Sequence, residues 1–240
     1  MTRLKNAPLL EVIFELRWDM EDSDWMTYPY LHGDIYRHMQ KKYPVRSLLM
    51  PPDVPREILI GKVQYRFQSA KGYPLFQLGP GILTFNATDK EYEWSKYSES
   101  INDLLNCFFD VNNHDKKGYR PSLNYYDFLP LNFSQENVLD YVSRYLNIKM
   151  KQNAAVFDEN PLHFNFGIIY KIDLGTLNLR IDSGAKNDHE SGLILQIQLH
   201  AENGLHNKKS IAEWLERAHD FSSRFFKDLT KGELYDSFNK

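Results

Sequence analysis

The sequence predicts an α+β fold in which helices pack on one face of antiparallel sheets. Several segments alternate apolar and polar residues, which is typical of strands with one buried and one solvated face. Other segments place apolar residues three and four positions apart, as amphipathic helices do. The connections between the last strands are too short for the crossover that parallel neighbours need, so these strands are predicted to be antiparallel.

The N-terminal half opens with "EVIFELRW", where residues 11–18 alternate strictly and predict a strand. A helix is predicted from Tyr30 to Tyr43, followed by a strand at 62–68. The segment "YPLFQLGPGILTFN" predicts a hairpin, because Pro80–Gly81 suits the two central positions of a type II turn. A helix from about Glu91 to Phe109 closes this half, with a buried stripe formed by Trp94, Tyr97, Ile101, Leu104, Leu105 and Phe108.

The C-terminal half repeats this order of elements. A strand near "SLNYYDF" precedes a helix that the Ser134 hydroxyl is expected to cap. Three strands follow, and the last helix is predicted from about Ser210 to Thr230. The strand residues predicted to face the core are Leu162, Phe164, Phe166, Ile168, Tyr170 and Ile172, then Leu177, Leu179 and Ile181, then Leu193, Leu195, Ile197 and Leu199.

The repeated order suggests two similar tandem halves, residues 1–112 and 118–240, which form either one compact domain or two. The polar loop "DVNNHDKKG" separates them, and its His114 and Asp115 are interpreted as solvated loop residues. The duplication is a hypothesis about structure, because the two closing helices space their Trp and Phe residues differently.

The composition predicts a globular, cytoplasmic protein. The single cysteine, Cys107, excludes an internal disulfide and favours an intracellular location. No run approaches the roughly 18 apolar residues that span a bilayer, and the N-terminus has no signal-peptide pattern. The formal charge of −3 is spread without blocks of one sign, so nucleic acid is not an expected partner.

The polar sides of the strands form the candidate ligand- or partner-binding surface. Amide, imidazole and guanidinium groups there can bind a small polar ligand or another protein without doing chemistry. Glu11 and Glu15 lie about 13 Å apart along a strand, which is too far for a carboxylate dyad, whereas Glu15 and Arg17 can form an ion pair or a ligand clamp. The candidate binding residues are Glu15, Arg17, Arg66, Arg180, Gln196, Gln198 and His200.

The sequence contains no local signature of catalysis, a metal site or a cofactor. A nucleophile elbow is absent, and Cys107 lies among apolar helix residues, where its thiol should be inert. His32 and His38 are six residues apart and would lie on different helical faces, which disfavours a zinc site. His219 is interpreted as a packed core histidine more readily than as a catalytic one.

Four stretches resemble a sporadically distributed family of uncharacterised prokaryotic proteins of about 250 residues. They are "NAPLLEVIFELRW", "FQLGPGILTFN" with "YEWSKY", "LNYYDFLPL", and "ERAHDFSSRFFKDLT". In the third stretch, Asn124–Tyr125 stands where that family usually has an Arg–Tyr pair. The resemblance implies an antiparallel α+β fold and no established reaction, and the family's scattered occurrence is similar to that of mobile or defence-associated genes.

We expect a non-enzymatic binding or regulatory protein that recognises a partner protein or small ligand on an open sheet face, and we expect it to form a homo-oligomer. The alternative is a nucleotide- or phosphate-processing enzyme, which would need Arg17, Lys62, Arg66 and Arg180 to converge. RNA binding ranks last, because it needs aromatic side chains on the exposed face. The aromatic residues Tyr65, Phe67 and Tyr170 are instead predicted on the apolar sides of their strands.

Overall fold

A single antiparallel sheet runs through both halves of the chain. The computed structural model describes residues 4–51, 53–111, 118–150, 161–186 and 190–239. The strands in these residues are β1 Leu9–Arg17, β2 Val45–Leu48, β3 Tyr65–Gln68, β4 Leu75–Gly79, β5 Ile82–Thr88, β6 Arg120–Pro130, β7 Asn165–Ile172, β8 Gly175–Lys186 and β9 Glu190–His200. The helices are α1 Asp22–Met39, α2 Arg56–Leu59, α3 Trp94–Val111, α4 Val138–Tyr145, α5 Lys208–Thr230 and α6 Glu233–Ser237, with a short 3-10 turn at Asp89–Glu91.

The strand order shows that the two halves have equivalent topologies. The order is β2-β3-β4-β5-β1-β6-β9-β8-β7, and all pairings are antiparallel. In each half the first strand lies at the centre of the sheet, the last strand lies next to it, and the others follow outward in reverse order, three in the N-terminal half and two in the C-terminal half. The halves meet where β1 pairs with β6.

The long helices α1, α3 and α5 cover one face of this sheet. Val12, Phe14 and Leu16 on β1 point to that face and are fully buried, as the alternation predicted. The α1 ring of Tyr36 stacks on Phe67 of β3, and Tyr97 of α3 lies against Phe85 of β5. Among the described residues, no helix combines the length and apolar character needed to cross a membrane.

Helix α1 begins eight residues before the predicted start. Pro29 lies inside it, and proline interrupts a helix by removing one backbone donor, which is why the sequence pattern placed the start at Tyr30. The Asp24 carboxylate accepts a hydrogen bond of 2.7 Å from the Glu21 backbone N–H and stabilises the true first turn. The predicted stripe of Leu31, Ile35 and Met39 is buried.

Four further details of the sequence prediction were wrong. Leu162 is 96% exposed, because strand β7 starts only at Asn165, and Tyr170 is 41% exposed because β7 is the edge strand. The cap of α4 is Asn137, whose side chain accepts from the backbone N–H groups of Leu139 and Asp140, instead of Ser134. Strand β2 was not predicted at all.

Parts of three predicted loops lie outside the described residues. They are most of the loop that contains His114 and Asp115, residues 155–160 of the predicted loop "AVFDENP", and residues 187–189 of the predicted connection "SGAKNDHESG". The rest of that connection is strand, since residues 183–186 belong to β8 and residues 190–192 to β9.

A buried tyrosine hydroxyl links α3 to the centre of the sheet. Phe14 of β1 lies opposite Phe85 of β5. The Phe14 N–H donates to the Tyr97 hydroxyl at 2.8 Å, and this hydroxyl donates to the Phe85 carbonyl oxygen at 2.9 Å. Tyr97 therefore bridges two strands and sets the position at which α3 begins.

Replacing Tyr97 with Phe should lower the free energy of unfolding by about 1–3 kcal/mol, because two buried backbone groups lose their common partner. Urea unfolding curves measure this change. Tyr36→Phe is the control, since that hydroxyl bonds the Pro44 carbonyl at an exposed site, and it should cost less than about 0.5 kcal/mol. Equal effects of the two substitutions would contradict the bridging role.

The β4–β5 turn requires a glycine, as the sequence predicted. Gly81 has a φ of +76°, and a Cβ added there would lie 2.8 Å from the Trp18 carbonyl oxygen. Gly33 lies inside α1, and a Cβ added to it would meet nothing within 4 Å. The two glycines thus make a matched pair.

We expect Gly81→Ala to destabilise the protein by at least about 1–2 kcal/mol, because it combines left-handed backbone strain with a steric contact. Gly33→Ala should stabilise it by about 0.5–1 kcal/mol, because alanine loses less backbone entropy in a helix. Thermal unfolding of both variants provides the test. A Gly81→Ala protein as stable as the wild type would show that the turn has another conformation.

Candidate functional site

The face of the sheet opposite the long helices carries an unbroken row of polar side chains. The strand registers place one polar residue from every strand in this row, which we call the polar row. In sheet order its members are Ser47, Arg66, Gln77, Thr84, Glu15, Ser122, His200, Thr176 and Lys171. The alternation in the sequence predicted that Glu15, Arg66 and His200 face this way, and the registers show that they lie in one row with the other six residues.

The centre of the polar row is an ion pair next to a histidine. Arg17 Nε donates to Glu15 Oε1 at 2.5 Å, and Arg17 Nη1 donates to the Gly61 carbonyl oxygen at 3.3 Å. Burial lowers the pKa of His200, with Glu15 opposing this change and Arg17 adding to it. The predicted pairing of Glu15 with Arg17 is therefore present, beside a neutral imidazole that can both donate and accept hydrogen bonds.

A second group lies four residues further along the strands, about 13 Å from the polar row. Gln196 Nε2 donates to the Tyr126 hydroxyl at 3.1 Å, and Arg180 lies opposite Gln196 with its Nε 3.6 Å from Asp182 Oδ2. Burial raises the pKa of Tyr126, and the negative charges of Glu11 and Glu15 act in the same direction. Six of the seven predicted binding residues therefore lie in one region, on β1, β8 and β9.

Arg66 is the one predicted residue on the other side of β1, in the N-terminal half of the sheet. It is on β3, six strand positions from Arg180 on β8, which corresponds to about 28 Å at the usual spacing of about 4.8 Å. The same spacing puts Arg66 roughly 14 Å from Glu15 on β1. Arg66, Arg180 and Arg17 therefore do not converge on one phosphate.

The polar face also contains a buried acceptor without a partner. Asn124, next to Ile13 in the sheet, donates weakly at 3.4 Å to the Ile13 carbonyl and to Ser122 Oγ. Its Oδ1 is buried and has no hydrogen-bond partner in the described part of the chain. Buried polar atoms are normally paired, so this atom indicates either a functional contact or an ordered water.

The helix side of the sheet contains a second candidate site that sequence reasoning did not identify. A cavity of about 240 Å³ lies between the sheet, the start of α3, and α5. We call it the helix-side cavity. Its wall residues include Tyr125, Asp127 and Ile197 from the sheet, Tyr92 and Trp94 near the start of α3, and His219, Ser222 and Phe226 from α5.

A chain of hydrogen bonds runs along one wall of this cavity. The Tyr92 and Tyr125 hydroxyls are 3.0 Å apart, and the Tyr125 hydroxyl is 2.9 Å from His219 Nδ1. The His219 ring stacks on Trp94 with a centroid distance of 3.7 Å. Burial lowers the pKa of His219 to about 4, so the imidazole is neutral at physiological pH. The predicted packing of His219 is confirmed.

Asp127 is the unusual group in this cavity. On β6 it occupies the phase of the buried residues Leu123 and Leu129, and only 5% of its surface is exposed. Burial raises the pKa of this carboxyl to about 7. Its carboxyl oxygens make no hydrogen bond to any residue that the structure describes. A β-bulge at Leu10, opposite this part of β6, interrupts the β1–β6 register.

Ser222 is a second unsatisfied group in the same cavity. The residue is 2% exposed, and its Oγ has no hydrogen-bond partner among the described residues. The sequence did contain a signal for this site, because a carboxylate at an apolar position of "LNYYDFL" departs from the strand pattern. The sequence prediction for His219 did not identify the cavity, because strand order and helix placement cannot be read from the sequence.

No group of three or more His, Cys, Asp or Glu side chains among the described residues could hold a metal ion. Cys107 is buried, and burial raises the pKa of its thiol to about 11, in line with the expected low reactivity.

Asp127→Asn should change the pH dependence of stability. The carboxyl has a pKa of about 7 when folded against about 3.9 when unfolded, so the native state holds more protons and the wild type loses stability as pH rises between these values. Asparagine does not titrate. The stability of the variant relative to the wild type should therefore rise by about 4 kcal/mol between pH 4 and pH 8 in urea unfolding. A constant difference across that range would show that Asp127 is solvated.

Comparisons of the chain with protein-family models, with curated proteins and with solved structures found no match. The resemblance to a sporadic prokaryotic family therefore stays a prediction.

Proposed function

We propose that this protein is a non-enzymatic binding protein that recognises a partner protein on its polar sheet face. The observation that carries the proposal is the polar row, which crosses every strand of the sheet on the side away from the long helices. A solvated sheet face does not require polar side chains to align across every strand. It also does not explain why Asn124 Oδ1 is buried without a hydrogen-bond partner in the described residues.

The size of the face favours a protein over a small molecule. Eight strand spacings give a width of about 38 Å, and the distance from residue 11 to residue 17 along β1 is about 20 Å. The product, about 760 Å², is an upper bound on the available area, because Thr84, Ser122 and Asn124 are already buried, and it is close to the roughly 800 Å² that each partner contributes to a standard protein interface.

The charges on the face indicate the chemistry of the partner. Glu15 pairs with Arg17, and Arg180 lies close to Asp182, so these charges are largely balanced within the face itself. The half-buried amides of Gln196 and Gln198 and the imidazole of His200 can donate and accept hydrogen bonds. A polar surface of low net charge fits this arrangement best, and a second copy of the chain, as in the predicted homo-oligomer, would meet that description.

The phosphate-processing alternative receives no comparable support. It needs the cations to converge, whereas Arg66 lies about 28 Å from Arg180 and Arg17 is already bound to Glu15.

The test uses two glutamines on opposite sides of the molecule. Gln198 lies between Asn124 and Asn178 on the polar face, and Gln40 lies exposed at the end of α1. We expect Gln198→Arg to reduce partner recovery at least tenfold, because it buries an unpaired charge in the interface, while Gln40→Arg leaves recovery unchanged. The measurement is quantitative mass spectrometry of copurified protein, with light scattering to detect self-association.

Two results would contradict the proposal. One is a partner, or an oligomer, that survives Gln198→Arg at the wild-type level. The other is a monomeric wild-type protein that copurifies with nothing. Thermal unfolding of each variant verifies that it is folded.

A further inference from the structure

The helix-side cavity is separate from the polar face and contains two unsatisfied polar groups contributed by different elements. Asp127 comes from β6 and Ser222 from α5, and both are at least nine-tenths buried. Buried groups of this kind in a native protein are normally hydrogen-bonded. Their occurrence in one cavity indicates that a bound molecule supplies the missing partners.

The rest of the cavity wall is mainly apolar. Leu9 and Ile197 lie on the sheet side, Phe226 on α5, and Pro8 in the segment before β1. The volume of about 240 Å³ equals roughly eight water molecules in the liquid. The occupant is therefore a small molecule with an apolar body and one polar end.

The charges at the cavity favour a positive polar end. Asp89, Glu93 and Asp127 line the cavity as acids, and Lys227 is the one lysine or arginine among its described lining residues. His219 adds no positive charge, because burial, together with the positive charge of the N-terminal amine, lowers its pKa to about 4. An anionic ligand would be repelled by the buried Asp127 carboxylate, whereas a cation would neutralise it.

We infer that the helix-side cavity binds a small amphipathic primary amine, whose ammonium group contacts the Asp127 carboxylate and Ser222 Oγ. An ammonium has three N–H donors. Asp127 and Ser222 supply acceptors for two of them, and the Tyr92–Tyr125 hydroxyl pair lies in the same wall to accept the third. The aromatic rings of this wall also suit a cation, since it is attracted to ring faces.

Protonation of Asp127 should control this binding. Only the ionised carboxylate attracts the ammonium, so affinity should fall as pH drops below about 7. The other titratable groups around the cavity are Tyr125 on β6, Asp89, Tyr92 and Glu93 near α3, His219 and Lys227 on α5, and Tyr235 on α6. Burial raises the pKa of Tyr92 and of Tyr125, so both hydroxyls stay protonated across this range.

The experiment compares three probes that share one apolar body. They are 2-phenylethylamine, 2-phenylethanol and phenylacetate, which carry a positive, a neutral and a negative end. Calorimetric titration of the full chain at pH 8 should detect the amine alone. At pH 6 the amine should bind about tenfold more weakly, because the ionised fraction of a carboxyl with a pKa of about 7 falls by that factor.

Asp127→Asn keeps the shape of the side chain and removes its charge. We expect this variant to lose at least tenfold in amine affinity at pH 8 and to lose the pH dependence as well. Ser222→Ala should weaken binding several-fold. The control is Asp228→Asn, an exposed acid on α5 outside the cavity lining, which should bind the amine as the wild type does.

Several outcomes would overturn the inference. Equal or tighter binding of the alcohol or the acid would show that charge does not select the ligand, and tighter binding at pH 6 would indicate that neutral Asp127 acts as a donor. Amine binding that survives Asp127→Asn would place the ligand elsewhere. Failure of the amine to bind at millimolar concentration would also count against it. Thermal unfolding controls for the fold of each variant.

Discussion

Strand β1 determines where the rest of the molecule lies, because its backbone is hydrogen-bonded on both sides. It pairs with β5 of its own half and with β6 of the other half, so the two halves form one sheet. Val12, Phe14 and Leu16 of this strand are fully buried under the helices, while Glu11, Ile13 and Glu15 face the other way. The pairing of β1 with β5 and β6 therefore positions both the hydrophobic core under the helices and the polar face on the other side of the sheet.

Much of this architecture is visible in the sequence, because period-two alternation encodes both the strand and its buried side. The inner strands β1, β8 and β9 follow that rule, and their core-facing residues are buried. The edge strands do not follow it. Strand β2, with exposed Val45 and Leu48, lacks a buried face, and Leu162 begins an alternating run three residues before strand β7 starts. The first two turns of α1 were missed because they contain Pro29, which is unfavourable inside a helix.

The candidate sites were predicted less completely, because a site depends on strand order and the sequence does not contain it. Alternation identified Gln196, Gln198 and His200 as outward residues, but only the registers show that they align across β6 with Glu11, Ile13 and Glu15, while Arg66 lies three strands from β1 on the other side. The helix-side cavity needs α3 and α5 to meet over β6. Asp127 gave a local signal there, yet its significance depends on neighbours more than 90 residues distant, such as His219 and Ser222.

Consecutive residues of β6 serve opposite sides of the molecule. Asn124 and Tyr126 belong to the polar face, while Tyr125 and Asp127 line the cavity. The two surfaces are therefore back to back, separated by the thickness of one peptide chain that is hydrogen-bonded on both edges. Because they share a backbone and no side chains, genetic changes can alter either surface alone, and any influence of one on the other must travel through the pleat of this strand.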